Sequence, residues 1–356
     1  MSTQPQSNVE GAIVSERELT DFTTAVFRAT GMPPHQALLQ SEILVWANLR
    51  GIDSHGVLRI PAYVERIDAG DMIPGAEPKI VSERPATALI DAFGAPGPTA
   101  TMAGVDMAIA KAKKHGAAWV VVRDLNHNGA LGYYTQKIAA EGLLGMTTVC
   151  SPPNMAPFGA KAPGLHNSPI SIGIPAGKRA PIILDMATSV AAGGKIYFAA
   201  DKGLPIPKGW ALDAKGDATT DPNQAKIWLP FEGPKGSGLA MMFECWSSLL
   251  ATNPLCAPRI FGRIKPGESF RQNAMVAAID VTAFCDLQDY TRNVDELIEG
   301  IKGLPRSGAD EILVPGERES AVAAERAQAG ILLPKGTIER IGVVAKRFRI
   351  NPPWPL

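Results

Sequence analysis

Val120-Val121-Val122-Arg123-Asp124-Leu125-Asn126-His127-Asn128-Gly129-Ala130 changes its grammar twice in eleven residues. The β-branched apolar run predicts a buried strand, and the polar residues after it predict a loop. The apolar spacing that follows, over residues 131–141, predicts a helix. Strand, loop and helix in succession point to an α/β chain, in which loops at strand ends carry reactive groups. His127 sits in such a loop as a candidate for proton transfer or for a hydrogen bond to a substrate oxygen. A loop histidine bonded to a backbone carbonyl is the plainer alternative. Gly129 allows close backbone approach or a helix start with free N–H groups.

The same grammar extends on both sides. Strands are expected at 87–91, 118–123, 145–150, 170–174, 181–185 and 274–280, with helices at 100–115, 189–202 and 235–252. Two long Pro/Gly-rich connections, 151–164 and 203–233, exceed ordinary loop length, and loops of that size are often functional. Ahead of this region, three helices follow one another. The first opens with a capping box of Ser15 and Glu18 and a staple of Val14 with Leu19, and should stop at Gly31. The second, 36–50, buries Leu39, Ile43 and Trp46 and stops at Gly51; the third runs to about Ala69. Charged helical patterns return at 293–302, 318–328 and 337–341. The expected organisation is therefore a helical domain, 1–80, completed by 290–356, around an α/β domain, 81–289, with a site in the cleft between them.

Composition narrows the function. The chain has 356 residues, 46% hydrophobic, and its 35 basic side chains balance 35 acidic ones, so no global field favours nucleic acid or an anionic membrane. The four cysteines (Cys150, Cys245, Cys256, Cys285) have no CxxC spacing or neighbouring histidine, so reduced thiols and no metal site are expected. Residues 1–8 are polar without a signal-peptide pattern, and no apolar run approaches the ~18 residues that span a bilayer. A cytoplasmic protein is expected.

Asp53-Ser54-His55-Gly56-Val57-Leu58-Arg59-Ile60-Pro61-Ala62-Tyr63 concentrates an imidazole, a guanidinium, a hydroxyl and a phenol. If Val57 onward is helical, Arg59 and Tyr63 share one face. A titratable proton carrier then stands beside a fork that binds carboxylate bidentately. Asp185 ends an apolar strand, where it could orient an imidazole, accept from a ribose or an amide, or cap a helix. Lys235 opens an apolar helix among glycines, a position unfavourable for the helix dipole and better explained by an anionic ligand. No strand leads into GxGxxG; 173–179 falls short of a P-loop, and HExxH and GxSxG are missing. Rossmann dehydrogenases, P-loop NTPases, zinc hydrolases and α/β-hydrolases are each disfavoured.

Seven motifs in order carry a resemblance. They are Asp53-Ser54-His55-Gly56 with Arg59 and Tyr63, Asn126-His127-Asn128-Gly129, Leu184-Asp185-Met186-Ala187-Thr188-Ser189, Gly209-Trp210-Ala211-Leu212-Asp213, Thr219-Thr220-Asp221-Pro222, Gly236-Ser237-Gly238-Leu239-Ala240 and Pro315-Gly316-Glu317. Together they resemble the non-Rossmann malate/L-lactate dehydrogenase family, which also includes ureidoglycolate and sulfolactate dehydrogenases, diketogulonate reductase and cyclic imino acid reductases. The resemblance implies hydride transfer between NAD or NADP and a small 2-oxo/2-hydroxy acid. It also implies a cofactor domain on a mostly antiparallel sheet, a helical domain and a homodimer. A cyclic 2-imino acid on the same site, or an inactive cofactor-binding relative, is the alternative; a lyase or isomerase without nucleotide is a third. By position, His55, His127, Arg59, Ser54 and Tyr63 would serve the substrate, and Ser151, Asp185, Met186, Ala187, Thr188 and Lys235 the cofactor. The chain departs from the family pattern at Asn128 (usually aromatic), Cys150, Asn167-Ser168-Pro169 and Pro234. Asn128 suggests a roomier or more polar pocket.

Overall fold

The computed structural model describes residues 11–201, 203–264 and 271–355. Residues 1–8, read above for a signal peptide, and Lys202, at the end of an expected helix, lie outside them.

A short strand β1 (Gly11–Val14) leads into α1 (Glu16–Ala29), and the capping box forms as expected. Ser15 Oγ accepts from the Glu18 N–H at 3.3 Å, and the Glu18 carboxylate accepts from the Ser15 N–H at 3.2 Å. After α1 the chain turns at Gly31 with φ +89°, and α2 (Pro34–Leu49) follows. The third helix starts later than its spacing suggests. Two 3₁₀ turns, Asp53–His55 and Val57–Arg59, precede α3 (Ile60–Asp68), whose first turn holds Pro61. Proline fits the first turn of a helix because its missing N–H would have no partner there.

The sheet region contains β2 (Lys79–Glu83), β3 (Thr87–Asp91), α4 (Gly97–His115), β4 (Ala117–Leu125), α5 (Gly132–Ala140), β5 (Leu143–Cys150), β6 (Ile170–Ile174) and β7 (Ile182–Met186). It continues through α6 (Gly193–Asp201), β8 (Ala211–Leu212), β9 (Ala218–Thr219) and β10 (Ile227–Trp228). Next come α7 (Pro234–Phe243), α8 (Cys256–Ile260) and β11 (Gln272–Asp280). The chain closes with α9 (Leu287–Lys302), α10 (Glu317–Ala329), β12 (Ile331–Pro334) and α11 (Lys335–Phe348). The helix expected over 235–252 is α-helical only to Phe243, after which Glu244–Leu249 winds as a π-turn. The helix expected from 189 starts at Gly193. Strands β1, β2, β8, β9, β10 and β12 carry no alternating apolar signal and were not foreseen; every residue of β2, for instance, is exposed.

Seven strands form one mixed sheet in the order β2-β3-β4-β11-β5-β6-β7, and β3 with β4 is its one parallel pair. This agrees with the α/β class and the mostly antiparallel sheet. Late in sequence but central in space, β11 is buried from Gln272 through Ala278. Helices α4 and α5 cover the sheet, joining Val105, Ala108 and Ile138 to Val120, Val122 and Val276 in one core. Gly104 permits the close approach, since a Cβ there would lie 2.9 Å from Val122.

A second core joins Leu19, Phe27, Leu44, Ile60 and Tyr63 to Ile331, Leu333, Ile341 and Val344. The C-terminal segment reaches the first helices partly through antiparallel pairing of β1 with β12. Helix α9 is anchored elsewhere: the Asp295 carboxylate accepts N–H bonds from Gly177, Lys178 and Arg179 in the β6–β7 turn. Helix α2 serves both cores, giving Ile43 to the sheet and Leu44 and Val45 to the helical layer. Among the described residues no helix is long and apolar enough to cross a membrane.

Ile138 is fully buried between α5 and the sheet, whereas Ile80 on edge strand β2 is 52% exposed. Ile138→Ala is expected to cost about 2–5 kcal/mol in chemical denaturation, and Ile80→Ala less than about 0.5 kcal/mol.

Candidate active site

The site is built from the turn after α2. The Asn48 side chain accepts the Val57 N–H at 2.8 Å and donates to Asp53 at 2.7 Å, closing the chain around Gly56. A Cβ on Gly56 would fall 2.2 Å from Asn48 Oδ1, so only glycine fits. From α10, Arg326 pairs with Asp53 at 2.9 Å and also donates to the Asn48 carbonyl. Held this way, the 3₁₀ turns present Ser54, His55 and Arg59 together. Arg59 Nε donates to the Ser54 carbonyl at 2.7 Å, and no carboxylate among the described residues pairs with the rest of its fork. Ser54 Oγ lies 3.0 Å from His55 Nδ1.

The second histidine arrives from the end of β4. Its loop is pinned by Asn126, which donates to the Asp71 carbonyl at 2.6 Å, and by Gly97, where a Cβ would lie 2.3 Å from the His127 carbonyl. His127 Nδ1 accepts the Gly129 N–H at 3.2 Å and lies 2.6 Å from the Tyr63 hydroxyl. A backbone N–H can only donate, so Nδ1 carries the lone pair and the neutral ring holds its proton on Nε2. The His55 and His127 rings stack with centroids 5.7 Å apart. The two imidazoles and Arg59 thus meet, from segments more than sixty residues apart in sequence.

Desolvation keeps both rings neutral. Burial, reinforced by Arg59, pulls His55 down to about 4 from its ordinary 6.5. Burial again leads for His127, which lies well below its ordinary value, with Arg59 and His55 adding to the effect. Burial pushes the Tyr63 phenol up to about 12.

These groups open onto a crevice of about 730 Å³, also bordered by Ser151, Asp185, Met186 and Ala187. Other expected residues sit apart from it. Tyr63 lies behind His127 as its partner. Thr188 is buried behind the wall, its N–H bonded to the Asn167 carbonyl. Lys235 is exposed at the first turn of α7, outside the crevice lining. Asp185 acts as a cap, but for a helix other than the one following it: its carboxylate accepts the Gly132 N–H at 2.7 Å at the start of α5. Desolvation raises Asp185 to about 6 against that bond, with Glu319 adding to the rise. The side chain nonetheless opens to the crevice, whose water moderates the shift. Asn128 borders the crevice, yet its amide donates to Thr101 at 2.6 Å inside the protein. The donor end of the amide is thus used inside the protein, while its buried Oδ1 has no partner.

Several lining residues had no signal in the sequence. His166 is a third imidazole, drawn down to about 3 by burial. Gln272, at the start of β11, donates to Ser151 at 3.3 Å, while its buried Oε1 has no partner. Arg50 stacks 4.1 Å from the Trp46 ring, and both side chains donate to Gln136 Oε1. Such residues come from a loop, a strand start and a helix end that only folding brings together. Among the described residues no cluster of three or more His, Cys, Asp or Glu could hold a metal ion.

The depressed histidines carry a stability signature. As pH falls, the unfolded chain takes up protons at about 6.5 while His55 resists to about 4 and His166 to about 3. Stability is therefore expected to decline from about pH 6.5 towards pH 4. His166→Gln, which has no imidazole to protonate, should make the urea-midpoint decline over that window shallower.

Known proteins resemble this chain along most of its length. The family model for malate/L-lactate dehydrogenase matches residues 14–342. The chain is 33% identical to the malate/(S)-sulfolactate dehydrogenase of Methanothermus fervidus, covering 96% of this chain and 100% of that protein. It is 30% identical to the NAD(+) ureidoglycolate dehydrogenase of Escherichia coli, over 85% of this chain and 86% of the relative. The crystal structure of malate dehydrogenase from Entamoeba histolytica superposes with a TM-score of 0.91 at 28% identity, covering 97% of this chain and 100% of that one. With the motif order, the mixed sheet and this likeness along nearly its whole length, the chain belongs to the malate/L-lactate dehydrogenase family.

Proposed function

We propose that this protein transfers a hydride between NAD or NADP and C2 of a small 2-oxo or 2-hydroxy acid. The observation that carries the reading is the stacked His55–His127 pair beside the unpaired Arg59 fork in one crevice. A planar guanidinium binds a carboxylate through two parallel hydrogen bonds, which would hold the neighbouring C2 in a fixed place. The crevice fits a dinucleotide as well as an acid. Its volume exceeds what a small acid needs, and the partnerless Gln272 Oε1 awaits a donor such as an amide or hydroxyl. Ser151, Asp185, Met186 and Ala187 would border the cofactor, which supplies hydride acceptance or donation at its nicotinamide ring.

The two histidines divide the proton work. With Nδ1 engaged by Gly129 and Tyr63, His127 offers an Nε2–H that donates to the C2 oxygen. His55 faces only the Ser54 hydroxyl, which can donate or accept. In the tautomer with Nδ1–H on Ser54, His55 Nε2 is free to take the hydroxyl proton during oxidation and return it during reduction. Bound carboxylate offsets the Arg59 charge that helps depress both rings, so substrate brings their pKa values back towards the working range.

The test follows nicotinamide absorbance with a panel of 2-oxo acids, 2-hydroxy acids and cyclic 2-imino acids. His55→Gln and His127→Gln should each lower kcat by about 10²–10⁴ while NADH fluorescence still reports binding. Arg59→Lys should act mainly on KM, because an ammonium cannot form the bidentate pair. Full turnover in both histidine variants would refute the mechanism; turnover of cyclic imines alone would reassign the substrate.

A homodimer belongs to the same reading. Met241, Met242, Leu249, Leu250, Ile260 and Phe261, from α7 to the residue that caps α8, leave large apolar side chains exposed. Exposed large apolar side chains grouped along one stretch of chain suit an association surface. Light scattering on the full chain should read twice 37.7 kDa, and charged substitutions at Leu250 and Phe261 should return it to one.

A further inference from the structure

The stretch of the crevice around Gly132 has a charge pattern that the hydride chemistry does not require. Gly132 forms its floor: a Cβ there would lie 3.1 Å from Trp46 and 3.3 Å from both Asp185 and Ile183. Asp185 stands on one wall and Glu319, half-buried on α10, on another. They are close enough for the Glu319 charge to act on Asp185. Neither carboxylate pairs with a lysine or arginine among the described residues. Asp185 accepts from the Gly132 N–H at 2.7 Å, and the Leu131 N–H adds a second backbone donor. The cation facing this stretch is Arg50, held over Trp46 and bonded to Gln136. Behind Pro315 and Gly316 a smaller cavity of about 220 Å³ adjoins, and its charges cancel. Arg179 pairs there with Glu299 at 3.2 Å, and Glu317 pairs with Lys302.

Two carboxylates against one immobilised guanidinium leave this stretch net negative. A carboxylate accepts the paired hydroxyls of a ribose, whereas a phosphate monoester on the same ribose brings close to two further negative charges. At a few ångströms in a partly desolvated crevice, that repulsion outweighs what Arg50 can return while it remains on Trp46 and Gln136. We propose that Glu319, with Asp185, makes this site select NAD(H) over NADP(H) by accepting the adenosine ribose hydroxyls and excluding a 2′-phosphate. The proposal rests on the dinucleotide reading above. It assigns Glu319 a role in specificity and Arg50 the role of a scaffold rather than a phosphate ligand.

Dissociation constants for NADH and NADPH, measured by nicotinamide fluorescence on the full chain at fixed ionic strength, test this without turnover. The native protein should bind NADH at least about tenfold more tightly. Glu319→Gln should weaken NADH and strengthen NADPH, narrowing the ratio by threefold or more, with an unchanged melting temperature as the control for folding. Arg50→Gln should leave the ratio within about twofold. NADPH binding as tightly as NADH, or a ratio unmoved by Glu319→Gln, overturns the selection and leaves the proposed function standing. A ratio that shifts further towards NADH in Arg50→Gln reassigns the phosphate contact to Arg50 and also overturns it. Binding of neither dinucleotide removes the proposed function itself.

Discussion

The Asn48 amide, closed on the backbone of Gly56 and Val57, is the contact from which the rest of the site is set out. Past α2 the chain turns at Gly51, with φ +72°, and makes two short 3₁₀ turns before α3 begins. Those turns bring Ser54, His55 and Arg59 to a single edge. Arg326 holds this arrangement from the far end of the chain through its pair with Asp53 and its bond to the Asn48 carbonyl.

Helix α2 passes this rigidity on. Because it gives Ile43 to the sheet core and Leu44 and Val45 to the helical core, neither layer can shift without disturbing the helix that carries Trp46, Asn48 and Arg50. The β4 loop is tied to the same frame through Asn126, and Tyr63 joins the helical core while touching His127. Elements tied to both cores thus border one crevice, and His55, His127 and Arg59 stand on its wall.

The electrostatics follow from that placement. Burial, more than any one neighbour, holds both imidazoles neutral, and Arg59 deepens the effect. An anion paired with Arg59 would offset the part of that field which Arg59 supplies. Desolvation, with Glu319 adding to it, also raises Asp185, although its side chain opens to the crevice.

The sequence alone determined whatever is encoded locally. The capping box at Ser15, the strands at β3, β4, β5, β6, β7 and β11, and the helix after His127 follow from periodicity and turn chemistry within a few residues. The order of short motifs determined the family, because their residue types answer to a shared chemistry. Tertiary structure decided the rest. Strands β1 and β12 exist because each finds the other across the whole chain, and β11 lies central because it pairs with both β4 and β5. His166, Gln272, Arg50 and Glu319 entered the crevice, and Lys235 and Thr188 stayed outside its lining, for the same reason. Which side chains face one cavity depends on contacts between distant segments, and no local pattern records those contacts.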